Sequence, residues 1–207
     1  MPASPAPIAI TRHLPPGGLD DLVALYLEAF GRKAEHLLFM TADRATIAAV
    51  TRRSIRPEQG LYAMREGRVV GYLGLEARGG RRFLDPTLAI LTDAFGRWGG
   101  LWRYGVHMGI AVFEPHKRGA LQIDQLAVGA AARGQGIGTR LIEAAAAIAR
   151  EEGYARLTLD VIDTNPAARR LYERLGFRLV RRQRLGAWTR RAGFEAVDFM
   201  ERPIDTD

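Results

Sequence analysis

The stretch Leu121–Thr139, LQIDQLAVGAAARGQGIGT, runs an apolar strand into a glycine-rich turn that opens an alanine-rich helix. Gly134, Gly136 and Gly138 carry no Cβ, so the turn can bend tightly and aim successive backbone N–H groups at one point. The first helical turn adds its own unpaired N–H groups and the positive end of the macrodipole, which together favour a phosphate or pyrophosphate. Arg133 and Arg140 flank the turn with positive charge. A P-loop is excluded, because the turn ends Gly138-Thr139-Arg140 with no lysine. Thr139 stands where a dinucleotide fingerprint places its third glycine, and five residues separate Val128 from Gly134. Asp160, at the end of the next strand, could imitate a ribose-binding acid, so a nicotinamide site stays open beside a glycine turn without a ligand.

The segment Asp163–Phe177, DTNPAARRLYERLGF, adds a second motif. Asn165 before Pro166 reads as an N-cap followed by proline at the first helical position, and Gly176 reads as the stop. Asn165, Ala168 and Tyr172 fall three and four apart, stacking an amide, a small residue and a phenol along one stripe, while Leu171 and Leu175 supply core contacts. A plain helix cap and a half-buried aromatic would account for Asn165 and Tyr172 taken singly.

Together the two segments resemble the GNAT superfamily of acyl-CoA-dependent N-acetyltransferases. Arg133, Gly136 and Gly138 match that family's Q/R-x-x-G-x-G/A signature. Asn165, Ala168, Leu171, Tyr172, Gly176 and Phe177 match its N-x-x-A-x-x-L-Y-x-x-x-G-F helix. The resemblance is strong over residues 121–180 and looser on either side. It implies an α/β fold of the GNAT type: a mixed, mostly antiparallel twisted sheet flanked by helices, with a helical insertion before the central strand. It also implies acetyl-CoA as cosubstrate with no metal, and a primary amine on a small molecule or peptide as acceptor. Arg133, Gly134, Gln135, Gly136, Ile137, Gly138 and Thr139 would hold the pyrophosphate, and Arg140 or Arg169 would reach the adenosine phosphate. Leu126, Ala127 and Val128 on the splayed central strand would line the acyl group and pantetheine arm, with the Leu126 N–H facing the oxyanion. Asn165 and Ala168 would lie beside the same arm, and Tyr172 stands at the family's general-acid position.

An aliphatic amine with a pKa of about 10 must lose a proton before attacking a thioester, so a general base or a water relay is required. Strand alternation puts Gln122, Asp124, Leu126 and Val128 on one face and Leu121 and Ile123 on the other. Asp124 can then point toward the acyl site, where its place nine residues before Arg133 resembles that of an acid used by some family members. Pairing with an arginine is the competing role for Asp124. Glu76 and Glu114 are secondary candidates for the base.

The chain has 207 residues, enough for one domain, 1–207, with a sizeable core. A net charge of +7 suits coenzyme A and would also suit nucleic acid, but the arginines are spread too widely to discriminate. The absence of cysteine excludes disulfides, thiolate metal sites and a cysteine nucleophile, and His13, His36, His107 and His116 have no H-E-x-x-H spacing. No apolar run reaches membrane-span length, and residues 1–7 read as a disordered proline-rich tail without a signal-peptide core. A soluble cytoplasmic protein is expected.

Periodicity predicts a strand over 8–12, helices over 19–30 and 44–54, a hairpin over 61–77, a helix after the glycine turn ended by Gly153, a strand over 156–162, and a final strand pair over 177–184 and 195–201. In the insertion, residues 79–120, Asp85-Pro86 reads as a helix start. Leu88, Leu91, Phe95, Trp98 and Trp102 recur in steps of three and four, as in one amphipathic helix that packs on the domain, on a second subunit of a homodimer, or as a lid over the acceptor. Two other functions fit parts of the pattern: a non-catalytic acyl-CoA sensor, and a nucleic-acid-binding protein using Arg178, Arg181, Arg182, Arg184, Arg190 and Arg191. The arginine run reads more simply as a solvated hairpin surface.

Overall fold

The computed structural model describes residues 6–77, 80–113 and 119–204. Most of the proline-rich tail, together with Gly79 and Glu114, lies outside the described residues. In chain order the elements are β1 (Ala9–Thr11), α1 (Gly18–Lys33), α2 (Arg44–Ser54), β2 (Gly60–Arg65), β3 (Arg68–Ala77), β4 (Arg81–Arg82), α3 (Leu88–Phe113), β5 (Ala120–Val128), α4 (Ile137–Glu151), β6 (Arg156–Ile162), α5 (Pro166–Arg174), β7 (Arg178–Arg184) and β8 (Ala196–Pro203).

One sheet has the order β1-β2-β3-β5-β6-β8-β7, with β4 paired to the end of β3. Every pairing is antiparallel except β5 with β6, which α4 joins as a parallel crossover. Alternating residues feed two cores. Leu61, Leu73, Leu75, Leu121, Ile123 and Leu157 meet Leu141, Ala145, Ile148 and Ala149 of α4 on one face. Tyr62, Tyr72 and Val69 meet Leu22, Leu25, Tyr26, Ile47 and Val50 of α1 and α2 on the other. The apolar stripes of α1, α2 and α4 are the faces turned to these two cores. No described helix is long and apolar enough to cross a membrane.

The terminal strand pair forms as expected. Two of the four arginines of β7 are shown engaged across it: Arg182 with Asp198 at 3.6 Å, and Arg181 over the Phe199 ring at 4.7 Å. Arg190, beyond β7, pairs with Glu195 at 2.8 Å. This is the solvated hairpin surface that alternation suggested, its charges partly matched by carboxylates.

The insertion departs from the single amphipathic helix. It begins with a short strand, β4, that no periodicity marks, and α3 is interrupted at Gly96, whose φ of 73° and ψ of 167° are not helical. A continuous helix would separate residues 92 and 100 by about 12 Å. Instead, a Cβ built on Gly100 would lie 2.4 Å from the backbone nitrogen of Thr92, so the chain turns sharply at Gly96 and runs back against its first part. The apolar stripe splits there. Leu91 is fully buried and Phe95 packs on the α1–α2 core, whereas Trp98 is 83% exposed and Trp102 62%. Arg103 pins the second part, lying 4.0 Å over Phe95 and donating to the carbonyls of Phe39 and Met40 at 2.5 and 3.2 Å. Gly100→Ala is expected to lower stability by about 1–3 kcal/mol through overpacking at this crossing. Urea unfolding measures it; an unchanged midpoint would contradict the close approach.

Candidate active site

The site grows from a fault in the sheet. Pairing of β5 with β6 runs only from Ala120↔Arg156 to Ile123↔Leu159, so beyond Ile123 the two strands diverge. On its other side β5 carries one extra residue: Gly74 pairs with Gln125, but Leu75 pairs with Ile123, leaving Asp124 as a β-bulge. The bulge inverts the alternation expected for this strand. Leu126 and Val128 pack with Leu121 and Ile123 against the α4 core, while Ala127 turns to the α1 core and the Tyr72 hydroxyl donates to Gln125 Oε1 at 3.0 Å. Asp124 therefore does not share a face with Leu126 and Val128. Its carboxylate turns toward α1 and β4, where the Leu84 N–H approaches Oδ2 at 3.5 Å.

The divergence opens a cleft of about 310 Å³ reaching both faces of the sheet. On the α4–α5 side it is lined by Leu126, Asn165 and Tyr172, and on the α1 side by Phe30, Arg32, Lys33 and Gln125, with Asp124 and Asp160 between. Tyr172 is buried among apolar residues, its ring 5.9 Å from that of Phe177. Burial, aided by the negative charge of Asp160, raises its phenol pKa well above the ordinary value, so the proton stays on the oxygen at neutral pH. Asn165 caps α5 as expected, its side chain accepting from the Ala168 N–H at 3.1 Å. Such a cap contributes about 1 kcal/mol. The same bond uses the Ala168 N–H, and the Asn165 amide nitrogen remains for a second partner.

The glycine turn follows β5 directly. Gly134 and Gly136 both take left-handed conformations, with φ of 76° and 74°, which favours glycine at each. Gly136 is the N-cap of α4 and no side chain of the described residues caps it, so the first N–H groups of a 15-residue helix face outward with the dipole behind them. Ile137 is buried in the core and anchors the turn, leaving only its backbone for a ligand. Gly138 lets α4 approach α5, since a Cβ there would sit 3.2 Å from Leu171 Cδ2.

Arg133 is engaged inside the protein: its Nε donates to the Val128 carbonyl at 2.9 Å and its Nη2 to Glu28 Oε1 at 2.5 Å, strapping the turn to β5 and α1. Gln135 is held similarly, accepting from Arg65 and donating to the Ala131 carbonyl at 3.3 Å. Arg169 donates to Asp198 at 2.7 Å and to Glu173 at 2.9 Å. Of the two arginines expected near the adenosine phosphate, Arg169 is thus committed to carboxylates. Glu76 pairs with Arg82 at 3.1 Å across β3 and β4.

A smaller chamber of about 100 Å³ adjoins the cleft between α1, β4, α3 and β5. It shares Phe30, Lys33, Asp124, Gln125 and Asp160 with the cleft and adds Tyr26, Arg82, Leu84 and His107. Burial pushes the His107 pKa down to about 4, with the charges of Arg82 and Lys33 adding to the effect, so the ring is neutral. Sequence reasoning missed Lys33, Tyr26 and His107 as site residues. They come from α1 and α3, two helices well apart in the chain, and no local spacing links them.

The model of the acetyltransferase (GNAT) family matches residues 19–177, spanning both motifs and most of the sheet. Human N-acetyltransferase 8B is 32% identical over 80 residues, a match covering 39% of this chain and 35% of that protein's length. Among solved structures, an N-acetyltransferase from Staphylococcus aureus Mu50 superposes with a TM-score of 0.62 at 15% identity, covering 97% of this chain and 100% of the other. The ribosomal-protein-S18-alanine N-acetyltransferase of Escherichia coli gives 0.55 at 17%, covering 97% and 96%. At these identities the superpositions speak to the fold alone. With the strand divergence, the glycine turn at the head of α4 and the Asn165–Phe177 helix on one cleft, and the family match across them, the chain belongs to the acetyltransferase (GNAT) family.

Proposed function

We propose that the protein is an acetyl-CoA-dependent N-acetyltransferase acting on a primary amine by direct attack on the thioester. The observation that carries this reading is the cleft between β5 and β6, whose lining brings together Asp124 and the protonated Tyr172. The glycine turn fits a pyrophosphate: left-handed glycines, an uncapped helix N-terminus and no anionic side chain between Arg133 and Arg140. Residues Gly134–Thr139 would hold the phosphates through backbone N–H groups, with Arg133 keeping the turn in place. Asn165 would bond the pantetheine arm through its free amide nitrogen.

Asp124 takes a proton from the acceptor ammonium, directly or through one water, and the freed amine attacks the acyl carbon. Backbone N–H groups of β5 beyond Ile123, which have no β6 partner, stabilise the negative carbonyl oxygen by about 3 kcal/mol per donor. As the C–N bond forms and the C–S bond breaks, Tyr172 gives its proton to the leaving sulfur, and the second proton shed by the acylated nitrogen passes through water back to the Tyr172 oxygen. The catalytic assignments are Asp124 as base and Tyr172 as acid.

Calorimetric titration of the purified protein with acetyl-CoA, free CoA and NADH tests the reading. Micromolar binding of the CoA species with none of NADH is expected. No CoA binding, or a preference for NADH, would overturn it.

A further inference from the structure

Two buried polar atoms line the chamber beside the cleft without a partner among the described residues. They are the Tyr26 hydroxyl and His107 Nε2, and Tyr26 as a whole is 1% exposed. Buried polar groups are nearly always paired, so two orphans on one small chamber mark bonds that form when something is bound there. Lys33 also lines the chamber, half-buried, and makes no ion pair among the described residues.

These three groups select a ligand chemistry. A hydroxyl group alone could satisfy Tyr26 and a neutral imidazole, but it would leave the Lys33 ammonium without a counter-charge. A carboxylate satisfies all three: it accepts from the Tyr26 O–H and from Lys33, and its negative charge lets the His107 ring take a proton from solvent and donate through Nε2. Asp124 and Asp160 line the same chamber, and their charge suits an ammonium. Groups of both signs share a space of about 100 Å³, so the positive and negative ends of the ligand are only a few bonds apart.

We propose that the acceptor is a compact zwitterion, an amine bearing a carboxylate as in an α-amino acid, with the carboxylate held by Tyr26, Lys33 and His107 while the amine meets Asp124. This rests on the transferase reading given above and narrows it to one class of acceptor. Tyr26, Lys33 and His107 are specificity-determining residues in this arrangement, since none need touch the thioester.

The test compares pairs that differ only in the carboxylate: leucine with isopentylamine, and alanine with ethylamine. Each is titrated calorimetrically into the protein with and without saturating CoA, and each is assayed by release of free thiol from acetyl-CoA. The carboxylated member is expected to bind about tenfold tighter or more and to show the higher kcat/KM. Tyr26→Phe removes only an oxygen that bonds nothing among the described residues, so it should leave thermal unfolding unchanged yet reduce the preference within each pair. Lys33→Met should reduce the preference to about twofold or less, and Lys33→Arg should restore it. A structural defect would weaken both members of a pair equally. Equal affinities, a preference for the decarboxylated amine, or no binding of either would overturn the proposal. Failure of CoA to bind would separately overturn the transferase reading, and the titrations without CoA would still decide the charge selectivity of the chamber.

Discussion

Acetyl-CoA affinity is expected to fall by more than about a hundredfold when Gly136 is replaced by aspartate. Gly136 is the N-cap of α4 at φ 74°, and no atom of the described residues lies within 4 Å of a Cβ built there, so the substitution does not collide with them. The damage comes from two other sources. A left-handed backbone is strained for a residue with a Cβ, and the carboxylate would stand at the N–H groups that the phosphates need, both blocking and repelling them. Gly136→Asn separates the two. Asparagine tolerates the left-handed region and is nearly the same size, but carries no charge, so it should lose about tenfold or less. Calorimetry with acetyl-CoA measures both variants. Unchanged binding by Gly136→Asp would remove the phosphate site from the head of α4, and equal losses in the two would assign the effect to the added side chain and not to its charge.

Turnover is expected to drop by about a hundredfold to a thousandfold in Tyr172→Phe, with acetyl-CoA affinity changed by no more than about threefold. The ring packs on Phe177 within the core, and phenylalanine keeps that packing, so the fold and the cleft should survive. What is lost is a proton donor. Burial and the charge of Asp160 raise the phenol pKa, and a raised pKa keeps the acid form populated as the medium becomes basic. The sign has a consequence for the wild-type protein: its kcat should show no fall from phenol ionisation below about pH 10, the ordinary value for tyrosine. A parallel loss of kcat and acetyl-CoA binding in Tyr172→Phe would assign the hydroxyl to cosubstrate binding, and a descending limb near neutrality that vanishes in the variant would contradict the raised pKa.

How much of the site could be read beforehand depends on how its residues are spaced along the chain. The glycine turn and the capped helix are local devices. A left-handed glycine, an uncapped N-terminus, an Asn-Pro start and a glycine stop each act within a few residues, and all four appear where the residues call for them. The Asp124 side chain was legible in identity but not in direction. Strict alternation assumes one residue per pleat, and the bulge that breaks it is a property of the β3–β5 pair, since it depends on Gly74 and Leu75 as much as on β5. The insertion failed for a related reason: a three-and-four stripe presumes continuous helical phase, and a single glycine at φ 73° resets it.

The chain by itself determined the elements and the family, because hydrophobic period, caps and glycines encode short-range sterics and hydrogen bonding directly. Only the tertiary structure decided the cleft and the chamber beside it. The end of β5–β6 pairing, the reversal at Gly96, and the meeting of Lys33, Tyr26 and His107 with Asp124 all come from segments brought together by burial of two cores on opposite faces of one sheet. Burial selects side chains by surface removed from water and not by separation along the chain, so no spacing of residues announces which polar groups it will leave facing one another.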